Sequence, residues 1–369
     1  MQITIDQKDL LKQITMAQRA ISNRTSILVL EGILFEAKDQ HLTLIATDFD
    51  LSIITKTSCD VIEEGSIVLN SSLIGNIVRK LPDDTVYIKA VDGKVQIRCG
   101  NALFELISLD PSEYPALPVV DASTSFSLPG ELMAKVIKYT LFSVSADESR
   151  PTTMGVLMET DADSIHFVSL DGYRLSRARL PYENPDPFTV IVPSRTISEL
   201  NRIMDVEQDL TFCQEGGTIL FEFGNTKLYS RLIEGRFIDY KGILGTKYHT
   251  YTTVNRHAFI DALDRMSLLA REDKAKLVKM AIGRDSIEMQ SNTELGNVYE
   301  KIACETEGED LNIAFNTRYI SDGAKIIETE KIRINLKGPV DPCTVVPVED
   351  ELDYTHLVLP VKLKNEVIQ

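Results

Sequence analysis

A stretch in the middle of this chain, GVLMETDADSIHFVSLD from Gly155 to Asp171, has a counterpart before it and another after it. The earlier copy, GILFEAKDQHLTLIATD, opens at Gly32 and closes at Asp48, and both copies span sixteen positions (171 − 155 and 48 − 32). A degenerate third copy runs from Lys276 to Asn292, again sixteen positions (292 − 276), with Lys in place of Gly and Asn in place of Asp. Each copy is two alternating apolar runs around a polar turn, at Ala37 to Gln40, Thr160 to Asp163 and Gly283 to Asp285, which predicts three hairpins. A second signature recurs as Leu69-Asn70-Ser71, Val192-Pro193-Ser194 and Phe315-Asn316-Thr317, each ahead of a helical run, at spacings of 123 (193 − 70 and 316 − 193). Two markers with one period of about 122 residues in a chain of 369 imply three tandem copies of a single unit. A unit of that length is a domain in its own right, not one turn of a short-period solenoid.

Within each unit a half-unit repeats: strand, helix, then three strands. The helices are predicted over Asp9 to Ile21, Ser72 to Leu81 (stopped by Pro82), Glu131 to Val144, Ser194 to Met204, Arg256 to Ala270 and Thr317 to Ile327. Pro111, Pro115 and Pro118 mark a linker after the first unit, and Gly235 to Tyr251 crosses into the third. The domains are expected at 1–121, 122–248 and 249–369. The fold class is α+β, dominated by sheet, with two helices per domain.

Charge bears on partners. A net charge of −16 argues against a protein coated on all sides by nucleic acid, but leaves room for a basic stripe on one surface. Lys12 and Arg19, Arg195 and Arg202, and Arg318 and Lys325 each lie seven residues apart, on one face of a helix. Arg79 and Lys80, Lys135 and Lys138, and Arg265 and Arg271 supply cations on the other three helices. For any one helix a solvated face explains the cations as well; their recurrence on every helix favours a surface that neutralises phosphates without reading sequence.

Other classes find little support. With 43% hydrophobic and 25% charged residues the composition is that of a globular chain. No apolar run of about eighteen residues occurs and Met1 leads directly into an alternating strand, so neither a membrane span nor a signal peptide is expected, and the protein is expected in the cytoplasm. Cys59, Cys99, Cys213, Cys304 and Cys343 lie far apart and are expected to be reduced, without metal or disulfide spacing. There is no phosphate-cradling glycine loop, no GxSxG and no HExxH, and the five histidines are scattered. Asp48-Phe49-Asp50 has the look of a paired-carboxylate metal site, but its repeat equivalents, Asp171-Gly172-Tyr173 and Asn292-Thr293-Glu294, do not keep the pair. A turn is the better reading, and no cofactor, metal or catalytic residue is expected.

The residues Ser169-Leu170-Asp171-Gly172-Tyr173-Arg174-Leu175, Val190-Ile191-Val192-Pro193, Glu234-Gly235-Arg236-Phe237 with Asp239-Tyr240, Phe315-Asn316 with Tyr319, and Leu357-Val358-Leu359-Pro360-Val361-Lys362-Leu363 together resemble the bacterial DNA polymerase III beta subunits, the sliding clamps. The likeness covers the whole chain in register. It implies three tandem DNA-clamp domains with two helices each on antiparallel sheets, and a head-to-tail homodimeric ring whose twelve helices line a hole for double-stranded DNA. The implied partners are that duplex, the replicative DNA polymerase alpha subunit, the clamp loader and other clamp-binding repair and replication proteins, with no membrane and no catalysis. A clamp-fold scaffold that binds proteins without encircling DNA is the alternative.

Position by position, the resemblance marks Arg24, Arg79, Lys80, Arg150 and Arg195 as DNA contacts, Arg24 and Arg150 foremost, and Lys138 and Arg202 join them from the helices. Pro151 and Thr152 replace family positions that are commonly aromatic. It places a partner-peptide pocket at Thr153, Leu170, Gly172, Tyr173, Arg174, Leu175, Ile238, Gly242, Ile243, Asn316, Tyr319, Val358, Leu359, Pro360, Val361, Lys362 and Leu363, although Leu175, Leu359 and Val361 taken alone read as plain core-strand residues. Gly242 stands where a basic residue is frequent, Tyr173 where His is common and Leu170 where Thr is common. The dimer interface maps to Leu103, Phe104 and Leu106 on an edge strand, meeting Leu268 and Leu269 of the other subunit. Family members usually end at the position of Leu363; the further residues Lys364 to Gln369 either fray into solvent or lie beside the pocket.

Overall fold

The computed structural model describes residues 1–22, 25–118, 120, 125–183, 187–245, 247–270, 276–294 and 296–362. The half-unit appears six times in these residues. The strand Gln2–Asp6, a helix α1 (Gln7–Ala17) and the strands Gly32–Lys38, His41–Thr47 and Leu51–Ser58 form the first. The strand Gly65–Asn70, α2 (Ser71–Lys80) and the strands Thr85–Val91, Lys94–Cys99 and Ala102–Ile107 form the second. The same order recurs around α3 (Gly130–Thr140), α4 (Ser194–Ile203), α6 (Arg256–Ala270) and α7 (Thr317–Ile326), while α5 (Tyr240–Ile243) is a single additional turn. Two expectations are corrected. The first helix stops at Ala17, so Arg19 lies on the 3-10 turn Gln18–Ala20 and does not share a helical face with Lys12. The third ends at Thr140, and its last predicted residues form the 3-10 turn Leu141–Ser143.

The repeated markers have physical causes. Asn70 and Asn316 are N-caps whose side chains accept from the backbone of Leu73 and Arg318, both at 3.0 Å, satisfying amides that a helix start leaves open. Asp48 and Asp171 close the hairpins: the Oδ1 of Asp48 accepts from Asp50 and Leu51, and that of Asp171 from Tyr173 and Arg174. The turn reading of Asp48 is thus what the fold shows. The next residue must adopt a positive φ, which Gly172 takes at 93° without steric cost, whereas Phe49 takes it at 74°.

The chain gathers into two compact units, Met1–Ala134 with Arg195–Leu232, and Lys135–Ser194 with Ile233–Gln369, so the middle repeat contributes to both. The first unit holds a five-stranded sheet, in the order Asp60–Glu63, Gln2–Asp6, Thr85–Val91, Lys94–Cys99, Ala102–Ile107, and an eight-stranded sheet. In it α1 packs on α2 and on Leu51–Ser58, burying Leu10, Ile14, Ile74 and Val78 completely; each such side chain contributes about 1.5–3 kcal/mol. The second unit is built on a twelve-stranded sheet in which Ser164–Leu170, Arg174–Pro181 and Asp353–Val358 are consecutive neighbours. There α6 packs on α7 and on the strands Ser286–Thr293 and Gly296–Glu307. All registered strand pairs are antiparallel, including Leu170 with Leu175 and Leu175 with Leu357. No helix among the described residues is long and apolar enough to cross a membrane.

Candidate partner pocket and nucleic-acid interface

The second unit brings the predicted pocket residues together, apart from Leu363, which lies outside the described residues with the segment 364–369. Its floor is sheet. Leu170, Leu175 and Leu357 stand side by side in register and, with Leu157, Val168 and Ile191, form a buried cluster. Tyr240 of α5 completes that cluster and donates its hydroxyl proton to Glu159 at 2.6 Å, so burial and the carboxylate both push its phenol up. The anchored turn holds Ile238 and Ile243 in the open, 38% and 39% exposed. Gly242 lies within the turn, its N–H donating to the carboxylate of the N-cap Asp239.

The far wall is the chain end and α7. After Val358 the backbone leaves the sheet but stays tied to it: the Leu359 N–H donates to the Tyr173 carbonyl at 2.9 Å and the Val361 N–H to the Ala314 carbonyl at 2.8 Å. Leu359 therefore projects, 37% exposed, and Pro360 and Val361 are half-buried. Tyr173, 59% exposed, stacks on Tyr319; burial raises the Tyr319 phenol. Four exposed apolar side chains over an apolar floor suit a ligand with hydrophobic side chains in extended form.

Arg174 holds this wall from beneath. It is 6% exposed, donates to Asp171 at 3.0 Å, to Asp322 at 2.6 Å and to the Phe142 carbonyl at 2.9 Å, and lies 5.0 Å from the Tyr319 ring centroid. A guanidinium so fully engaged fixes the strand turn to α7 and is not open to a ligand carboxylate. Thr153 is likewise buried, donating its hydroxyl proton to the Arg150 carbonyl, and Asn316 is occupied as the cap of α7. Lys362 is exposed at the rim.

Arg24 lies outside the described residues, as does Arg271. Of the other six candidate DNA contacts, four are ion-paired: Lys138 with Glu328 at 2.6 Å, Arg150 with Asp147 at 2.9 Å, Arg195 with Asp48 at 2.5 Å and Arg202 with Glu199 at 2.8 Å. Arg79 and Lys80 are exposed in the last turn of α2, and Arg79 donates to the Asn76 amide oxygen; neither has a carboxylate partner among the described residues. They are the most available of the six for an anionic ligand; the carboxylates that meet Lys138 and Arg195 come from other elements, whereas Asp147 and Glu199 lie three positions before Arg150 and Arg202. The Arg150 guanidinium lies over Gly172, so this loop also borders the pocket.

The candidate interface residues sit on open surfaces. Among the described residues the strand Ala102–Ile107 ends its sheet, pairing only with Lys94–Cys99. Leu103 is 50% exposed on its outer face, with Phe104 and Leu106 half-buried on the other. Ile107, passed over in the sequence reading, is the most exposed at 83%; its place in the alternation was the available signal. Leu268 is largely exposed on α6 and Leu269 half-buried. No cluster of three or more His, Cys, Asp or Glu side chains able to hold a metal occurs among the described residues.

Comparison with known proteins gives this geometry a family. Models of the DNA polymerase III beta subunit match in order along the chain: the N-terminal domain over residues 1–118, the central domain over 127–239 and the C-terminal domain over 241–362. The beta sliding clamp of Bacillus subtilis is 34% identical over 377 residues, covering 98% of this chain and 100% of its own. That of Halalkalibacterium halodurans is 33% identical over 380 residues with the same coverage. The crystal structure of the B. subtilis DNA polymerase sliding clamp superposes with a TM-score of 0.95 at 32% identity, covering 99% of this chain and all of that one. With the sixfold half-unit, the antiparallel sheets and all three domain models in sequence, the chain belongs to the DNA polymerase III beta subunit family, the beta sliding clamps.

Proposed function

We propose that this protein is a DNA sliding clamp: a non-catalytic processivity factor that encircles duplex DNA and tethers the replicative polymerase to it. The observation that carries this reading is the full-length succession of three clamp domains, assigned to 1–121, 122–248 and 249–369. Two copies join head to tail through the open strand edge carrying Leu103, Phe104 and Leu106 and the Leu268-Leu269 corner of α6, closing into a ring that leaves neither edge free. Duplex DNA is held by enclosure and by sequence-independent phosphate contacts from Arg24, Arg79 and Lys80, with Lys138, Arg150, Arg195 and Arg202 contributing as phosphates displace their carboxylates. The pocket walled by Tyr173, Ile238, Ile243, Tyr319 and Leu359 takes a hydrophobic peptide of the polymerase alpha subunit, the clamp loader or another replication or repair protein, in the cytoplasm. The ion pairs on four candidate cations favour a second reading, a clamp-fold scaffold that does not encircle DNA. Negative-stain electron microscopy of the purified protein separates the two: the clamp gives six-lobed rings with a central hole, and the scaffold compact particles without one.

A further inference from the structure

Ile238 and Ile243 stand exposed on either side of a helix too short to hold itself. α5 has four residues, far fewer than an isolated helix needs to be stable in water. Its own hydrogen bonds are local: the Leu244 N–H donates to the Tyr240 carbonyl at 3.0 Å, and Asp239 caps the start. Neither bond reaches the sheet. Phe237 and Leu244 pack on the apolar cluster beneath, but apolar contact is non-directional and sets the depth of the turn more than its orientation.

Among the described residues, the polar side-chain ties from this turn to the sheet converge on one atom. The Oε1 of Glu159 accepts the Tyr240 hydroxyl proton at 2.6 Å and lies 2.8 Å from the Lys241 Nζ. That Nζ also sits over the Tyr240 ring, 5.7 Å from its centroid, so the two neighbouring side chains and the carboxylate form one clasp. Hydrogen bonds to an ionised acceptor are about twice as strong as those between neutral groups.

Glu159 is itself a fixed point. It lies in the strand Gly155–Thr160, opposite His166 on one side and Thr189 on the other. His166 is engaged by Asp161 at 2.8 Å. The Glu159 side chain is only 16% exposed, so water competes weakly for its oxygen. Both groups that it holds belong to α5, and its route to a ligand therefore runs through the turn.

We propose that Glu159 is a positioning residue for the partner pocket: its carboxylate touches no ligand and orients α5 so that Ile238 and Ile243 are in place before one arrives. The inference rests on the pocket reading above. A turn that is already ordered spares the ligand the cost of ordering it, so Glu159 raises affinity without adding a contact.

The test uses the full-length protein and two readouts. Hydrogen exchange over residues 236–245 reports the turn with no ligand present, and anisotropy of a fluorescein-labelled hydrophobic peptide of the polymerase alpha subunit reports the pocket. Glu159→Ala is expected to speed exchange in that segment and to weaken the peptide about ten-fold, the loss of one charge-assisted hydrogen bond. Exchange in the strands Ser164–Leu170 and Arg174–Pro181 should stay at the parent rate, whereas a general loss of stability would speed both regions. Glu159→Gln, whose amide oxygen still accepts from Tyr240 without a charge, is expected to fall between. In a protein already carrying Ile238→Ala and Ile243→Ala, adding Glu159→Ala should change peptide affinity no further, because it acts through those side chains. A turn that loosens in Glu159→Ala when even the parent ignores the peptide sustains the positioning of the isoleucines and sinks the partner-peptide reading. Exchange in the turn that stays at the parent rate, a bound peptide whose affinity is unchanged, or an equal further loss in the isoleucine background overturns the proposal.

Discussion

Tyr173 and Tyr319, 146 positions apart in the chain (319 − 173), lie face to face with ring centroids 5.6 Å apart and planes 14° from parallel. The pair joins the hairpin turn at Asp171 to α7, and Arg174 braces it from below. Because Tyr173 is mostly exposed, its ring contributes little to the core and much to any ligand laid across it. Tyr173→Ala is therefore expected to weaken binding of a hydrophobic partner peptide about ten-fold while leaving the thermal midpoint in place. Fluorescence anisotropy with a labelled peptide checks the first and calorimetry the second. A midpoint that falls as affinity holds would make the stack structural.

Gly323 of α7 packs directly on the imidazole of His356; a Cβ there would fall within the radius of the ring atoms Cδ2 and Cγ. Gly323→Ala must then push α7 off the sheet, which is expected to cost about 3 kcal/mol. Urea unfolding measures it. Combining Gly323→Ala with His356→Ala should cost less than the two changes summed, since the clash is removed with the ring.

The same histidine gives the protein an acid-sensitive element. Its Nε2–H donates to the Tyr319 carbonyl and its Nδ1 accepts from Ser176, both at 2.9 Å, and burial pulls its pKa down to about 4. An unfolded chain protonates this group near about pH 6.5, so between these values the unfolded state binds more protons than the folded one. Stability from this group is complete above about pH 6.5, falls as the pH drops towards 4, and at most about 3 kcal/mol is lost. Unfolding midpoints at pH 7 and pH 4.5 should therefore converge more closely for His356→Gln than for the parent. Equal losses in the two proteins would place the acid sensitivity elsewhere.

At the open strand edge, Phe104→Asp is expected to leave a monomer. A charge on this half-buried position, beside an unpaired row of backbone groups, opposes burial against a second copy. Native mass spectrometry reports the outcome, and a dimeric variant would move the interface to another surface.

Much of this architecture is local and was legible for that reason. Asp48 and Asp171 close their turns with their own carboxylates, and Asn70 and Asn316 cap the helices that follow them, so each writes its role within three residues. Pro82 follows the end of α2 as read. What escaped the sequence depends on distant partners. Arg174 was placed in the pocket, but its role under the wall is decided by Asp322, 148 residues away. The four residues of α5 are too few to show a helical period; they are held by Tyr240 reaching Glu159, 81 positions back. Part of the order of availability among the cations was hidden in the same way: Lys138 and Arg195 meet carboxylates 190 and 147 positions away, whereas Arg150 and Arg202 pair with neighbours within the same turn.

The central claim is enclosure of the duplex, and topology tests it most directly. The protein is loaded onto nicked circular DNA with a clamp loader and ATP, separated by gel filtration, and the circle is then cut once with a restriction enzyme. The account predicts that the protein stays with the circle through moderate salt and is released on linearisation, because a ring slides off a free end. Protein that remains bound equally to circle and line, or that leaves the intact circle as readily as the cut one, would contradict it.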